Sequence, residues 1–206
     1  MLELEFQLTS YCQAKCPTCS RTILLNKGLL KPEHVEINTF KNIIKKLNPD
    51  IVVTLCGELG DPMMHPDIEE IVELFLQNGN WVQIHTNGAL SNKSFYEKYA
   101  KDRRVSISWG IDGMDAETNG KYRVGGNFDK AWDNMHTWFT NGGKGHWNFI
   151  IFRWNKHQLH DAYEYAKSNN IPIEIKINNR IHPMEVTGYV GDEEFDRLRR
   201  VISELE

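Results

Sequence analysis

The feature that most restricts the fold is an alternation. Six short runs rich in β-branched, aromatic or alternating apolar residues recur along the chain, interleaved with stretches of helical apolar spacing. The first run carries Leu2, Leu4, Phe6 and Leu8 at alternate positions. The second, Ile51 to Cys56, is almost continuously apolar, which predicts a parallel strand buried on both faces. Trp81–Thr86, Val105–Trp109, Trp147–Phe152 and Ile173–Ile177 complete the set. Between them, Phe40, Ile43, Ile44 and Leu47 form a helical stripe that Asn38 or Thr39 can cap. Pro66 opens a second helix, with Ile68, Ile71, Val72 and Phe75 inward, and Asn78-Gly79 stops it. Further helices are predicted from Ser91 to about Lys101, Phe128 to about Thr140, and Lys156 to about Asn169. A last stripe of Phe195, Leu198, Val201, Ile202 and Leu205 runs from Glu193 to Glu206. Strands alternating with helices imply right-handed parallel crossovers. With 206 residues and no composition break, the chain reads as a single α/β domain over residues 1–206. Six units suit a partial, open (β/α)6 TIM-like barrel, and a doubly wound open sheet is the alternative.

In parallel α/β sheets ligands collect beyond the carboxyl ends of the strands. Four unusual loops leave the ends of the first four strands, so all four are expected to share one rim. The first of them holds Cys12, Cys16 and Cys19, spaced Cys-x-x-x-Cys-x-x-Cys. Thiolates this close can converge on one soft metal centre. Three leave a coordination position open, which marks a reactive centre, whereas a closed four-ligand site is usually structural. Cys56 is the one remaining cysteine. A structural zinc held by Cys12, Cys16, Cys19 and Cys56 is therefore the competing reading, a zinc-stabilised binding protein without redox chemistry.

The run Leu8-Thr-Ser-Tyr-Cys-Gln-Ala-Lys-Cys-Pro-Thr-Cys-Ser-Arg21 resembles the cluster motif of the radical S-adenosylmethionine (SAM) superfamily, in its branch related to peptide-modifying maturases. The resemblance implies that Cys12, Cys16 and Cys19, on a loop spanning residues 9–30, bind three irons of a 4Fe–4S cluster. The fourth iron is left for S-adenosyl-L-methionine. It implies an enzyme, an oxidoreductase or transferase, in which the reduced cluster cleaves SAM to a 5′-deoxyadenosyl radical that abstracts hydrogen from a peptide or small molecule. An external one-electron donor of flavodoxin or ferredoxin type is implied as partner. A partial barrel is the family's usual core. One departure is Thr18, where many members carry an aromatic residue that packs near the adenine. Relatives often add a cysteine-rich C-terminal extension. No cysteine follows Cys56 here, so a single cluster is expected, and residues from about 178 to 206 are expected to close the barrel's open side.

The other loops match this pattern in order. After the second strand comes Cys56-Gly-Glu-Leu-Gly-Asp-Pro-Met-Met-His-Pro-Asp67. The family's acid, which meets the SAM ammonium, falls on Glu58 in one alignment and on Asp61, preceded by Gly60, in another. The second matches more residues. Thr86-Asn87-Gly88 resembles the third loop, whose polar side chains face SAM; read without the resemblance it is a plain turn. Ser108 and Asp112, near the end of the fourth strand, become ribose candidates, and Arg123 a candidate for a carboxylate. Asn155, just past the fifth strand, aligns with an asparagine near SAM; its alternative is helix capping. No Ser/His/Asp or Cys/His constellation stands out, and none is needed where the cofactor carries the chemistry.

Composition sets outer bounds. No apolar run approaches the ~20 residues of a membrane helix. A formal net charge of −4 argues against broad capture of nucleic acid. Free cysteines without a recognisable targeting segment predict a cytoplasmic protein.

Overall fold

The structure, a computed structural model, describes residues 2–90, 92–178 and 190–205. Asn179, Arg180, His182, Gly188 and Tyr189 of the expected closing segment lie outside the described residues, as does Ser91.

Among the described residues, six parallel strands form one sheet in sequence order: β1 (Glu3–Gln7), β2 (Val52–Cys56), β3 (Trp81–Thr86), β4 (Val105–Gly110), β5 (Lys144–Ile151) and β6 (Ile173–Ile177). β1 and β6 are the two edges, so the sheet is an open, partial TIM-like barrel. The helices are α1 (Ser20–Asn26), α2 (Ile37–Ile44), α3 (Ile68–Gln77), α4 (Lys93–Tyr99), α5 (Ala116–Gly120), α6 (Phe128–Thr140), α7 (Leu159–Ser168) and α8 (Asp192–Leu205). None is long and apolar enough to cross a membrane.

The two faces of the sheet differ sharply. One parity of strand positions, including Val53, Leu55, Val82, Ile84, Ile107, Trp109, Trp147, Phe149 and Ile151, is essentially fully buried in the main core with the helices. Each such side chain contributes about 1.5–3 kcal/mol by leaving water. The other parity is polar: Thr54 bonds Glu3, and Ser108 reaches His146 across β4 and β5. The run of β2 is thus buried on both faces only at its centre, where Thr54 of the inner face is 2% exposed. Val52 and Cys56 are only half-buried, because an open barrel covers just its outer face with helices.

Helix ends also depart from expectation. α2 begins at Ile37, ahead of both expected caps, and its N-cap Glu36 makes no side-chain capping bond. The segment after Asn155 starts as a single 3₁₀ turn, Lys156–Gln158, before α7.

Candidate functional site

β1 delivers the chain through buried Leu8, Thr9 and Ser10 into the cysteine loop. Arg21, buried on α1, folds back over that loop. Its Nε donates to the Ser10 carbonyl at 2.6 Å and a terminal nitrogen to the Ala14 carbonyl at 3.4 Å. On the far side the Lys15 N–H donates to the Val124 carbonyl at 2.7 Å. Pinned from both sides, the loop presents Cys12, Cys16 and Cys19 to one cavity, which Cys56 at the end of β2 also lines, all four as free thiols. Burial, with the neighbouring Asp61 charge, pushes the Cys12 thiol up to about 12. Burial also raises Cys16, against the pull of Arg123. Metal loading of such thiols must release protons.

Among the described residues no three Cys, His, Asp or Glu side chains gather as they would around one ion. The single-zinc reading therefore finds no support. Thiols distributed around one cavity suit a multi-iron cluster, whose ligands bind different irons. Ala14, Cys16, Tyr122 and Phe152 form a separate small core beside this loop, packed by Ile150 and Trp154. Thr18, the departure from the family's aromatic residue, shares a 2.9 Å hydrogen bond with the Tyr122 hydroxyl. Tyr122 in turn packs on Phe152, which stacks on Trp154.

The two candidate acids part company. The Glu58 side chain is exposed, although its carbonyl lies 3.8 Å from the Cys19 sulfur. Asp61 lines the cavity and is 3% exposed. Its carboxylate accepts from the Met63 N–H, the Thr86 hydroxyl, and both the backbone and side-chain nitrogens of Asn87. Burial raises its pKa while these bonds lower it. Asp61 is thus the clamp that joins the second loop to the third, and its lone pairs are already spent on that task. Gly57 and Gly60 make the surrounding turn possible. A Cβ on Gly60 would lie 2.1 Å from the Thr9 carbonyl oxygen, and one on Gly57 1.7 Å from that of Gly60. The glycines let the second loop press directly against the first.

Thr86, Asn87 and Ser108 line the same cavity. Asp112 and Asn155 do not. Asp112 is completely buried, its carboxylate taken by Arg123 Nε at 2.7 Å and the Ile150 N–H at 3.0 Å. Asn155 is equally buried: it accepts from the Phe152 N–H and donates to the carbonyls of Asp112 and Ile150. Asn155 holds the N-cap position of the following turn, without a side-chain capping bond. Both residues serve to fix Arg123, whose guanidinium lines the cavity over Gly110. Asp67 holds the N-cap position of α3 without a side-chain capping bond.

Sequence reasoning missed His85 and Asn148 as cavity residues. Each carries a buried polar atom without a protein partner, Nε2 of His85 and Oδ1 of Asn148. Their signal was parity. His85 pairs with Ser108 and Asn148 with Gly110, which puts all four on the polar face.

The Radical SAM superfamily matches residues 6–172. Mycofactocin maturase MftC of Mycobacterium tuberculosis is 28% identical over 128 residues, covering 62% of this chain and 32% of MftC. The 7-carboxy-7-deazaguanine synthase of Aquifex aeolicus is 32% identical over 97 residues, covering 47% of this chain and 41% of the synthase. The fold is that of Streptococcus suis SuiB bound to S-adenosylmethionine, with a TM-score of 0.76 at 17% identity, over 98% of this chain and 47% of SuiB. The chain thus spans under half the length of each.

Proposed function

The chain belongs to the radical SAM superfamily, and from that premise we propose that Cys12, Cys16 and Cys19 hold a 4Fe–4S cluster whose open iron faces SAM. The observation that carries this reading is the presentation of all three thiols to one cavity, beside the clamped second and third loops. When bound, cluster and SAM together supply the 5′-deoxyadenosyl radical that abstracts hydrogen from substrate.

The chain's own residues position these groups. Arg21 and the Lys15 N–H fix the thiol loop. The Gly57–Gly60 turn brings backbone carbonyls to the rim, where an ammonium can be received once Asp61 has oriented the loop. Arg123 is tied to Asp112 through Nε and also bonds the Cys16 side chain, and its guanidinium at the cavity over Gly110 can receive the SAM carboxylate. Ser108 and Asn148 offer hydroxyl and amide groups to the ribose. Tyr122 and Phe152 back the thiol loop from their own small core, packed with Ala14 and Cys16. The substrate is a peptide or small molecule, in keeping with relatives that include a maturase, a deazaguanine synthase, and SuiB in complex with the precursor peptide SuiA. Electrons come from a flavodoxin- or ferredoxin-type donor.

Anaerobic reconstitution tests this directly. The wild-type chain should turn brown, with absorbance near ~400 nm. It should release 5′-deoxyadenosine when given SAM and reductant. Cys16→Ala should lose both properties, and Cys56→Ala should keep the absorbance. Loss of metal binding on Cys56→Ala, in a colourless protein holding zinc, would refute the proposal.

A further inference from the structure

Resting on the cluster assignment above, we propose that Asn87 donates a hydrogen bond to the Cys12 sulfur when that sulfur ligates iron, and so raises the cluster's reduction potential. Asn87 is then a positioning residue for the redox centre, not only a polar wall for SAM.

The orientation of the Asn87 amide is fixed by a donor that allows no choice. The backbone N–H of Ala89 reaches Asn87 Oδ1 at 3.0 Å. Gln13 Nε2 donates to the same oxygen at 2.5 Å. With Oδ1 so placed, Nδ2 must face the other way. There it meets two acceptors, Asp61 Oδ2 at 2.6 Å and Cys12 Sγ at 3.6 Å. An amide NH₂ has two hydrogens, and the two acceptors match them. The backbone is held too: the Asn87 N–H donates to Asp61 at 2.9 Å, and Gly88 adopts φ +70° in the turn that follows. That region is open to glycine at little cost.

Cys12 changes character on ligating iron. As a thiol its sulfur can donate, and it lies 3.9 Å from Gln13 Oε1. As a thiolate it has no proton and can only accept, so the Asn87 N–H becomes its charge-assisted partner. A hydrogen bond to a ligating sulfur draws charge from it. The reduced cluster puts more charge on sulfur than the oxidised one. The bond therefore favours the reduced form and lifts the potential.

The test uses the full reconstituted chain without SAM. First, the wild-type protein carries asparagine labelled with ¹⁵N at the side-chain nitrogen, and pulsed EPR of the reduced cluster is recorded. A ¹⁵N hyperfine coupling is expected, and Asn87→Leu should abolish it. Second, an EPR-monitored redox titration should place Asn87→Leu at a lower midpoint potential than wild type, at equal iron content. An unchanged or higher potential overturns the proposal, as does wild-type protein with no asparagine coupling. If Asn87→Leu fails to retain the cluster, the wild-type coupling decides alone. A wild-type chain that assembles no cluster at all would overturn the proposed function itself, so the two failures are distinguishable.

Discussion

Asp61 shows how one residue can be essential to a site through the loops it joins. Its carboxylate is buried and accepts from four donor groups on two loops. Asp61→Ala would leave the Thr86 hydroxyl, the Asn87 amide and two backbone N–H groups without their acceptor. Unmet buried groups cost about 1–3 kcal/mol each before relaxation. Glu58 projects into solvent, where substitutions stay within about 0.5 kcal/mol. Denaturant titration should therefore show Asp61→Ala clearly destabilised and Glu58→Ala near wild type. Calorimetric SAM binding to the reconstituted proteins should fall in the same order, and the reverse order would return the acid's role to Glu58. The preference for Asp61 over Glu58 was legible in the pattern Asp-Pro followed by His-Pro. Its saturation by the third loop was not, because Thr86 and Asn87 lie 25 and 26 residues away in sequence.

Among elements, α6 (Phe128–Thr140) was readable from its start at Phe128 to its approximate end, because thirteen residues carry several turns of apolar period. α1 and α5, at seven and five residues, escaped, since so few residues hold too little period to distinguish a helix from a loop. The rim depends on contact between elements. Gly60 on the second loop touches backbone of the first, with Thr9 and Tyr11 carbonyls both close to where its Cβ would stand. Gly60→Ala must push these loops apart and displace the chain entering Cys12. A loss of about 1–3 kcal/mol in denaturant stability is expected, together with lower iron content after reconstitution. Gly120→Ala is the matched control. Gly120 ends α5 with open space at its Cβ, so this variant should be neutral or slightly stabilised and load iron normally.

For the whole molecule, an open barrel leaves a polar inner face, and this shapes the response to pH. Burial, then the His146 charge, holds His85 below the usual imidazole pKa; burial does the same to His146. An unfolded chain takes up these protons near 6.5, the folded one only at lower pH. Between those values the unfolded state binds more protons, so these histidines remove stability as pH falls below 6.5. Asp61 works in the opposite sense, since its raised pKa favours the folded state on protonation. Comparing wild type with His85→Gln isolates the histidine. Below pH 6.5 the fall of Tm with acidification should be shallower in the variant; identical slopes would mean that His85 titrates as if in water.

The sequence by itself determined what local spacing can encode: six strand-and-helix units, three thiols on one loop, and the order of four rim loops. Tertiary structure decided which side chains face the cavity. It turned Asp112 and Asn155 inward as supports for Arg123, brought His85 and Asn148 to the wall, and joined Asn87 to Cys12. Those outcomes follow from register between strands and from contacts across dozens of residues. No local run of residues carries that information, because burial and hydrogen-bond partners are set by what the neighbouring strand or loop presents.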